Sequence, residues 1–301
     1  MRPTSMKGDF VQIVFYGLTA VTVIYLLIAG ILYGQQSRFI LSPTQGLKTN
    51  PKQRGYDYED VWLNIPGTND RIHGWWIPDE NTQAPVLLYL HGNGGTISYF
   101  SYLIPLWRSL GLTILMIDYR GYGLSNSDRF PHEKSLYEDA RIALNYLLND
   151  RQISPERIIV YGFSLGGAIA VELLTRPPFK LGGIVLEGTF TSIRKMAALA
   201  SQGSWIKFNW FPLDLLLHQR FETDTKIDRL CSPVLFIHGT DDRTIPCSMS
   251  ETLFDLAPEP KYLSLIPGAD HLNLVEVNSD RYLDSLESFI RTLFSLSPDK
   301  A

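Results

Sequence analysis

Hydrophobic and polar positions fall into three regimes along the chain. From Val11 to Tyr33 no charged residue, histidine or proline interrupts an apolar run whose polar groups, beyond tyrosine hydroxyls, are Gln12, Thr19 and Thr22. As a helix rising about 1.5 Å per residue it is roughly 34 Å long, enough for a hydrocarbon core of about 30 Å. The run exceeds the apolar core of a cleaved signal peptide and lacks the polar face of a buried core helix. The pattern therefore predicts a short tail over 1–10 and a transmembrane anchor over 11–33. Arg2 and Lys7 precede the span while Arg38, Lys48, Lys52 and Arg54 follow it, a balance that leaves its orientation open. Residues 34–56, rich in Gln, Pro, Gly and Lys, read as a tether, and 57–301 as one catalytic-size domain.

In that domain the rhythm starts with two Val-, Ile- and Trp-rich runs, Tyr58–Ile65 and Arg71–Ile77, divided by Pro66-Gly67-Thr68-Asn69-Asp70. This is a hairpin signal and predicts an antiparallel pair at a sheet edge. Continuous apolar runs follow: Pro85–Leu90, Leu112–Ile117, Ile158–Tyr161, Leu181–Leu186, Val234–Ile237 and Tyr262–Ile266. A parallel sheet covered on both faces demands such runs. Helical patterns lie near Phe100–Leu110, Leu136–Asn149, Leu165–Thr175, Ser248–Leu256 and Arg281–Phe294. The predicted fold class is α/β, with a mostly parallel doubly wound sheet that holds ligands at the carboxyl ends of its strands.

Composition narrows the function. Lys and Arg total 27 against 31 Asp and Glu, a net charge of −4, which offers no basic field for a nucleic acid. Two cysteines, Cys231 and Cys247, flank a predicted strand and are too far apart along it to pair. No C-x-x-C or H-E-x-x-H spacing supplies a metal site. No metal or organic cofactor is implied.

The chemistry-bearing residues cluster just after predicted strands. Gly162-Phe163-Ser164-Leu165-Gly166 joins a strand to a helix, a turn that exposes its serine as a nucleophile while flanking glycines relieve crowding. His91-Gly92-Asn93-Gly94-Gly95 follows an earlier strand; its backbone N–H at Asn93, with that of Leu165, is the candidate oxyanion hole. A nucleotide turn is the alternative for this loop, but Ile97 occupies the last glycine position of G-x-G-x-x-G. Asp242 and His271 each follow a late strand, so the chain order is Ser164, Asp242, His271: nucleophile, acid and base. Asp241 and Glu187 are alternative acids. His91 and His238 precede chain-turning glycines and read as loop-shaping hydrogen-bond donors, and Arg120 as an anchor for the Asp118–Ser125 loop.

Together, the His91–Gly95 loop, Asp118-Tyr119-Arg120-Gly121-Tyr122-Gly123-Leu124-Ser125, Gly162–Gly167, Asp242 and Gly268-Ala269-Asp270-His271 resemble the α/β-hydrolase superfamily. More narrowly they are similar to the membrane-anchored ABHD-type serine hydrolases and their microbial relatives, from about Tyr56 to Phe294. The resemblance implies a Ser164–His271–Asp242 triad with an oxyanion hole at Asn93 and Leu165. It also implies a group that includes lipid esterases, lysophospholipases and protein depalmitoylases. Asp270 departs from the pattern, where glycine is frequent, and sets a second carboxylate beside the base.

An insertion at about 188–227 carries Trp205, Phe208, Trp210, Phe211, Leu213, Leu215, Leu216, Leu217 and Phe221 and reads as a cap over the nucleophile. It serves either as an acyl-chain slot or as packing for the cap itself. The expected protein is a membrane-anchored serine hydrolase of ester or thioester bonds, with a small-molecule or lipid acyl substrate and no nucleic-acid partner. A silent scaffold of the same fold would lack part of the triad, whereas acyl transfer or peptide cleavage would use the same residues.

Overall fold

The computed structural model describes residues 6–201 and 211–295; Trp205, Phe208 and Trp210 of the expected cap lie outside them. Eight strands form one sheet: β1 (Glu59–Asn64), β2 (Arg71–Ile77), β3 (Val86–Leu90), β4 (Thr113–Asp118), β5 (Ile158–Phe163), β6 (Gly183–Glu187), β7 (Val234–Gly239) and β8 (Lys261–Ile266). Their order is β1-β2-β4-β3-β5-β6-β7-β8. β2 runs antiparallel to both β1 and β4, and every pair from β4 to β8 is parallel. The predicted hairpin is therefore the antiparallel edge of a parallel sheet.

β3 to β7 are buried at every position, as their unbroken apolar runs require, because helices cover both faces. One core packs Leu88, Val160, Ile184 and Phe236 beneath the face that also holds Ile169 and Leu173. The opposite core holds Trp75, Tyr89, Trp107, Tyr161 and Phe289. Ten helices occur among the described residues: α1 (Met6–Gly34), α2 (Gln36–Ile40), α3 (Ile104–Ser109), α4 (Glu133–Asn145), α5 (Leu165–Thr175), α6 (Ile193–Ala200), α7 (Leu213–Leu216), α8 (Ser248–Leu256), α9 (Leu274–Val277) and α10 (Ser279–Ser295). The helix expected over Phe100–Leu110 is divided, because Pro105 opens α3 after a 3₁₀ turn over Tyr99–Leu103. α4 starts three residues earlier than its apolar pattern. His132 caps it by accepting the Ser135 N–H, and the Ser135 side chain bonds back to the cap.

α1 is long and apolar enough to cross a membrane, and most of its large side chains from Phe10 onward are exposed. The segment read as a tether packs against the hydrolase domain. Gln36 and Leu41 are buried, the Ser42 N–H donates to Asn93 Oδ1 (2.8 Å), and Asn93 Nδ2 donates to the Ile40 carbonyl (2.7 Å). The Gly123 N–H donates to the Thr44 carbonyl and the Gly46 N–H to the Gly123 carbonyl, each at 2.8 Å. Composition suggested a linker because these contacts are scattered polar bonds to distant residues rather than a periodic apolar face. The cap, in turn, is tied back by Glu133, whose carboxylate accepts the Arg220 N–H (2.6 Å) and the Phe221 N–H (2.8 Å).

Candidate active site

Ser164 sits between β5 and α5 with φ 53° and ψ −115°, a conformation that non-glycine residues rarely adopt. Close packing imposes it. A Cβ on Gly162 would stand 2.5 Å from the Gly166 carbonyl oxygen, one on Gly167 would stand 2.5 Å from Thr189 Cβ, and one on Gly166 would collide with the Leu90 carbonyl. Glycines there let α5 start directly against β3 and the end of β6. The turn is locked at both ends: the Ser164 N–H donates to the Glu187 carbonyl (2.8 Å), and the Thr189 hydroxyl donates to the Ser164 carbonyl (2.8 Å). Strain held this firmly leaves the Ser164 Oγ presented at the sheet's carboxyl edge.

The structure brings the three predicted side chains into line. His271 Nε2 lies 3.1 Å from Ser164 Oγ, and His271 Nδ1 lies 2.7 Å from Asp242 Oδ2. The imidazole tilts against Phe163, with ring centroids 5.0 Å apart, and passes 3.3 Å from where a Gly188 side chain would stand. Asp242 Oδ1 accepts the backbone N–H groups of Thr244 (2.8 Å) and Ile245 (2.7 Å). Burial opposes its ionisation, yet hydrogen bonds from His238, His271 and the Ile245 N–H prevail and hold it well below the usual carboxylate range. The geometry can pass a proton from the serine hydroxyl to imidazole while a carboxylate fixes the tautomer.

The alternative acids stand elsewhere. Asp241 is exposed and accepts from the Thr240 hydroxyl (2.9 Å). Glu187 is buried and turned away from the base, accepting from Tyr282 Oη (2.9 Å) and Tyr161 Oη. Burial raises its pKa against the pull of those two phenols. Asp270, expected as a second carboxylate beside the base, spends its Oδ1 on the N–H groups of Arg243 (3.0 Å) and His271 (2.7 Å).

Around the oxyanion position, Gly94 and Gly95 both take positive φ, which turns the loop after Asn93. The Leu165 N–H opens α5 and so has no acceptor within that helix. The Asn93 side chain is spent on Ser42, Ile40 and the Tyr122 hydroxyl (3.2 Å), and the residue itself lines the cavity beside Ser164. His91 shapes the loop as expected, its Nδ1 donating to the Gly92 carbonyl at 2.7 Å. Its Nε2 is 3.5 Å from Asp118, but this is no ion pair. Burial pushes His91 down to about 4 and Asp118 up to about 8, so both are neutral near pH 7. Arg120 anchors its loop through Asp139, donating from Nε to Oδ1 at 2.8 Å.

Sequence reasoning missed two contributions. His238 is fully buried and its Nε2 reaches Asp242 Oδ2 at 3.0 Å, so one carboxylate oxygen serves two histidines. Only the residue's place at a strand end hinted at this. The second is the outer wall of the cavity above Ser164. That cavity holds about 710 Å³ and is lined by Leu32, Phe39 and Ile40 as well as by Met196 and Leu216 of the cap. Nothing in the composition of 34–56 signalled a pocket wall. Among the described residues, no three His, Cys, Asp or Glu side chains converge in a metal-binding group.

Known proteins resemble this chain in sequence and in fold. The family model described as "Serine aminopeptidase, S33" matches residues 81–224. An uncharacterised membrane protein of Saccharomyces cerevisiae is 31% identical over 286 residues, covering 91% of this chain and 94% of its own. An Arabidopsis thaliana protein described as α/β-hydrolase domain-containing is 29% identical, covering 79% of each. The solved structure of an esterase from Pyrococcus furiosus superposes with a TM-score of 0.68 at 18% identity, over 84% of this chain and 99% of that one.

Proposed function

This chain belongs to the α/β-hydrolase superfamily, and from that membership we propose that it is a membrane-anchored serine hydrolase cleaving carboxylic ester or thioester bonds of acyl substrates. Ser164 attacks the acyl carbonyl, and His271 takes the hydroxyl proton and returns it to the leaving group. Asp242 holds the imidazole in the Nδ1–H tautomer and stabilises the imidazolium. The Asn93 and Leu165 N–H groups receive the oxyanion, and water then resolves the acyl-enzyme with His271 acting as base. The anchor is α1, supported by its length, its exposed apolar surface and the description of the yeast relative as a membrane protein.

One observation carries the substrate choice: the Ser164–His271–Asp242 line ends in a cavity of about 710 Å³ walled mainly by apolar side chains. Such a lining suits an acyl chain. The name of the matched family model brings in peptide cleavage as a second reading. An aminopeptidase needs a carboxylate to pair with the free amino terminus of its substrate. No Asp or Glu stands among the described residues lining this cavity, which favours the acyl reading.

The test is fluorophosphonate labelling of the detergent-solubilised full chain, with hydrolysis of p-nitrophenyl acyl esters and acyl thioesters followed in parallel. Wild type is expected to label, and Ser164→Ala to lose both the label and about a millionfold in turnover. A folded wild-type protein that neither labels nor turns over refutes the proposal. Transfer to an acceptor other than water would be identified by product analysis.

A further inference from the structure

We infer that the acyl chain reaches Ser164 directly from the lipid bilayer, through a mouth whose outer wall is the end of the membrane helix. The inference rests on the acyl-hydrolase reading above and adds where the substrate comes from and which residues outside the hydrolase domain receive it. Leu32 in the last turn of α1 and Phe39 and Ile40 on α2 line the same cavity as Ser164 and His271. A membrane anchor serving only as a tether has no reason to contribute to that wall.

The wall is fixed in place. Gln36 is buried between anchor and cap: its Oε1 accepts the His218 and Gln219 N–H groups (2.9 Å each), and its Nε2 donates to the Leu216 carbonyl (2.7 Å). Higher on α1, Tyr25 stacks on Phe211 of the cap insertion with centroids 5.0 Å apart and planes 5° apart. On the other side Asn93 holds Ile40 and Ser42. Anchor, cap and the loop carrying the oxyanion donor thus meet around one opening.

The rim of that opening is apolar and open to the surroundings. Phe39 is 64% exposed, Leu272 50%, and Leu215 on the adjoining α7 80%. In water such an exposed apolar cluster is unfavourable. At the level where α1 leaves the hydrocarbon, these side chains would be covered by lipid. α2 spans only about 7.5 Å at about 1.5 Å per residue, so the cavity mouth lies close to that level. A chain sliding from lipid into the cavity exchanges one apolar environment for another. Crossing water first would add a penalty that grows with every methylene of the chain.

The experiment uses the full chain in phosphatidylcholine nanodiscs, comparing kcat/KM for p-nitrophenyl palmitate and p-nitrophenyl butyrate. Leu32→Trp, which fills the wall, is expected to lower the palmitate-to-butyrate ratio about tenfold. Leu27→Trp, on the same helix but 60% exposed and off the cavity, is expected to keep the wild-type ratio. An unchanged ratio in Leu32→Trp, or an equal fall on both esters, overturns the inference. Fluorophosphonate labelling checks that each variant has an assembled site. Should Leu32→Trp fail to fold, Phe39→Gln at the exposed rim is expected to lower the same ratio, and an unchanged ratio there is equally fatal. As a measurement needing no variant, palmitate ester is diluted within vesicles at constant bulk concentration. The rate should fall with its mole fraction in the membrane, and a rate that follows bulk concentration alone overturns the inference. A wild type inactive on both esters and unlabelled removes the hydrolase reading itself, an outcome distinct from these.

Discussion

Two buried aspartates at the carboxyl edge of one sheet settle into opposite charge states. Asp118 ends β4 and Asp242 lies just past β7, and neither side chain is open to solvent. Asp118 receives one N–H, from Ile97 at 2.8 Å, and burial then raises it to about 8. Asp242 receives four: Thr244 and Ile245 from the backbone, His238 and His271 from side chains. Its ionised form prevails despite burial. Burial alone therefore does not set the charge of a carboxylate; the number of donors aimed at it does. The difference suits the chemistry proposed here. An anion at Asp242 stabilises the imidazolium, whereas an anion beside the His91–Gly95 loop would oppose the oxyanion assigned to the Asn93 N–H.

The comparison breaks most severely at Asp242. Asp242→Asn keeps the shape but lets the amide present a donor to His271, favouring the wrong tautomer. Turnover is expected to fall about 10⁴-fold with little change in KM. A fall of less than tenfold in steady-state kinetics would move the acid's role elsewhere, with Glu187 the next carboxylate to test.

At Asp118 the expected change is in stability. Its folded pKa is raised, so the folded chain keeps a proton that the unfolded chain, with an ordinary value near 3.9, releases. Native stability contributed by this group is full below about pH 4 and is lost as pH rises toward about 8. The slope is at most about 1.4 kcal/mol per pH unit. Asp118→Asn has no proton to lose and retains an oxygen for the Ile97 N–H. Its Tm advantage over wild type is expected to widen between about pH 5 and pH 8. A Tm difference constant across that range would show Asp118 to be ionised in the fold.

The sequence made local chemistry legible and long-range polar contacts illegible. Gly162–Gly166 announces its turn because strand, serine, glycines and helix are contiguous, and α5 and α8 have the bounds their patterns predicted. β5 and β7 run on to Phe163 and Gly239, past the end of their apolar runs, because the ladder continues through residues chosen for the site. The sequence put Asp242 ahead of Asp241, and three dimensions give the reason: one faces two histidines and the other faces solvent. Gln36 and Asn93 each join segments far apart in sequence through three side-chain hydrogen bonds, which leave no periodicity to read. The cap of α4 was missed for a similar reason: a histidine is not among the residues whose presence signals a helix start.

The finest test of the comparison is His238, which supplies Asp242 with a donor that Asp118 lacks. Its Nε2 faces two acceptors, Asp242 Oδ2 at 3.0 Å and the Ile245 carbonyl at 2.8 Å, so the ring proton belongs on Nε2. Nδ1 then accepts from the Ser250 hydroxyl at 2.6 Å, which fixes the orientation of the ring. His238 thus acts through Asp242 as a positioning residue. His238→Phe removes a hydrogen bond to a charged group, worth about 1.5–3 kcal/mol, and kcat should fall about 10- to 100-fold. The loss should fall on kcat, with KM unchanged, because His238 touches no substrate. His238→Gln returns an N–H toward Oδ2 and should restore much of the rate. If both variants lose Tm and kcat alike, His238 only packs the β7 loop, and the charge of Asp242 rests on its backbone donors and His271.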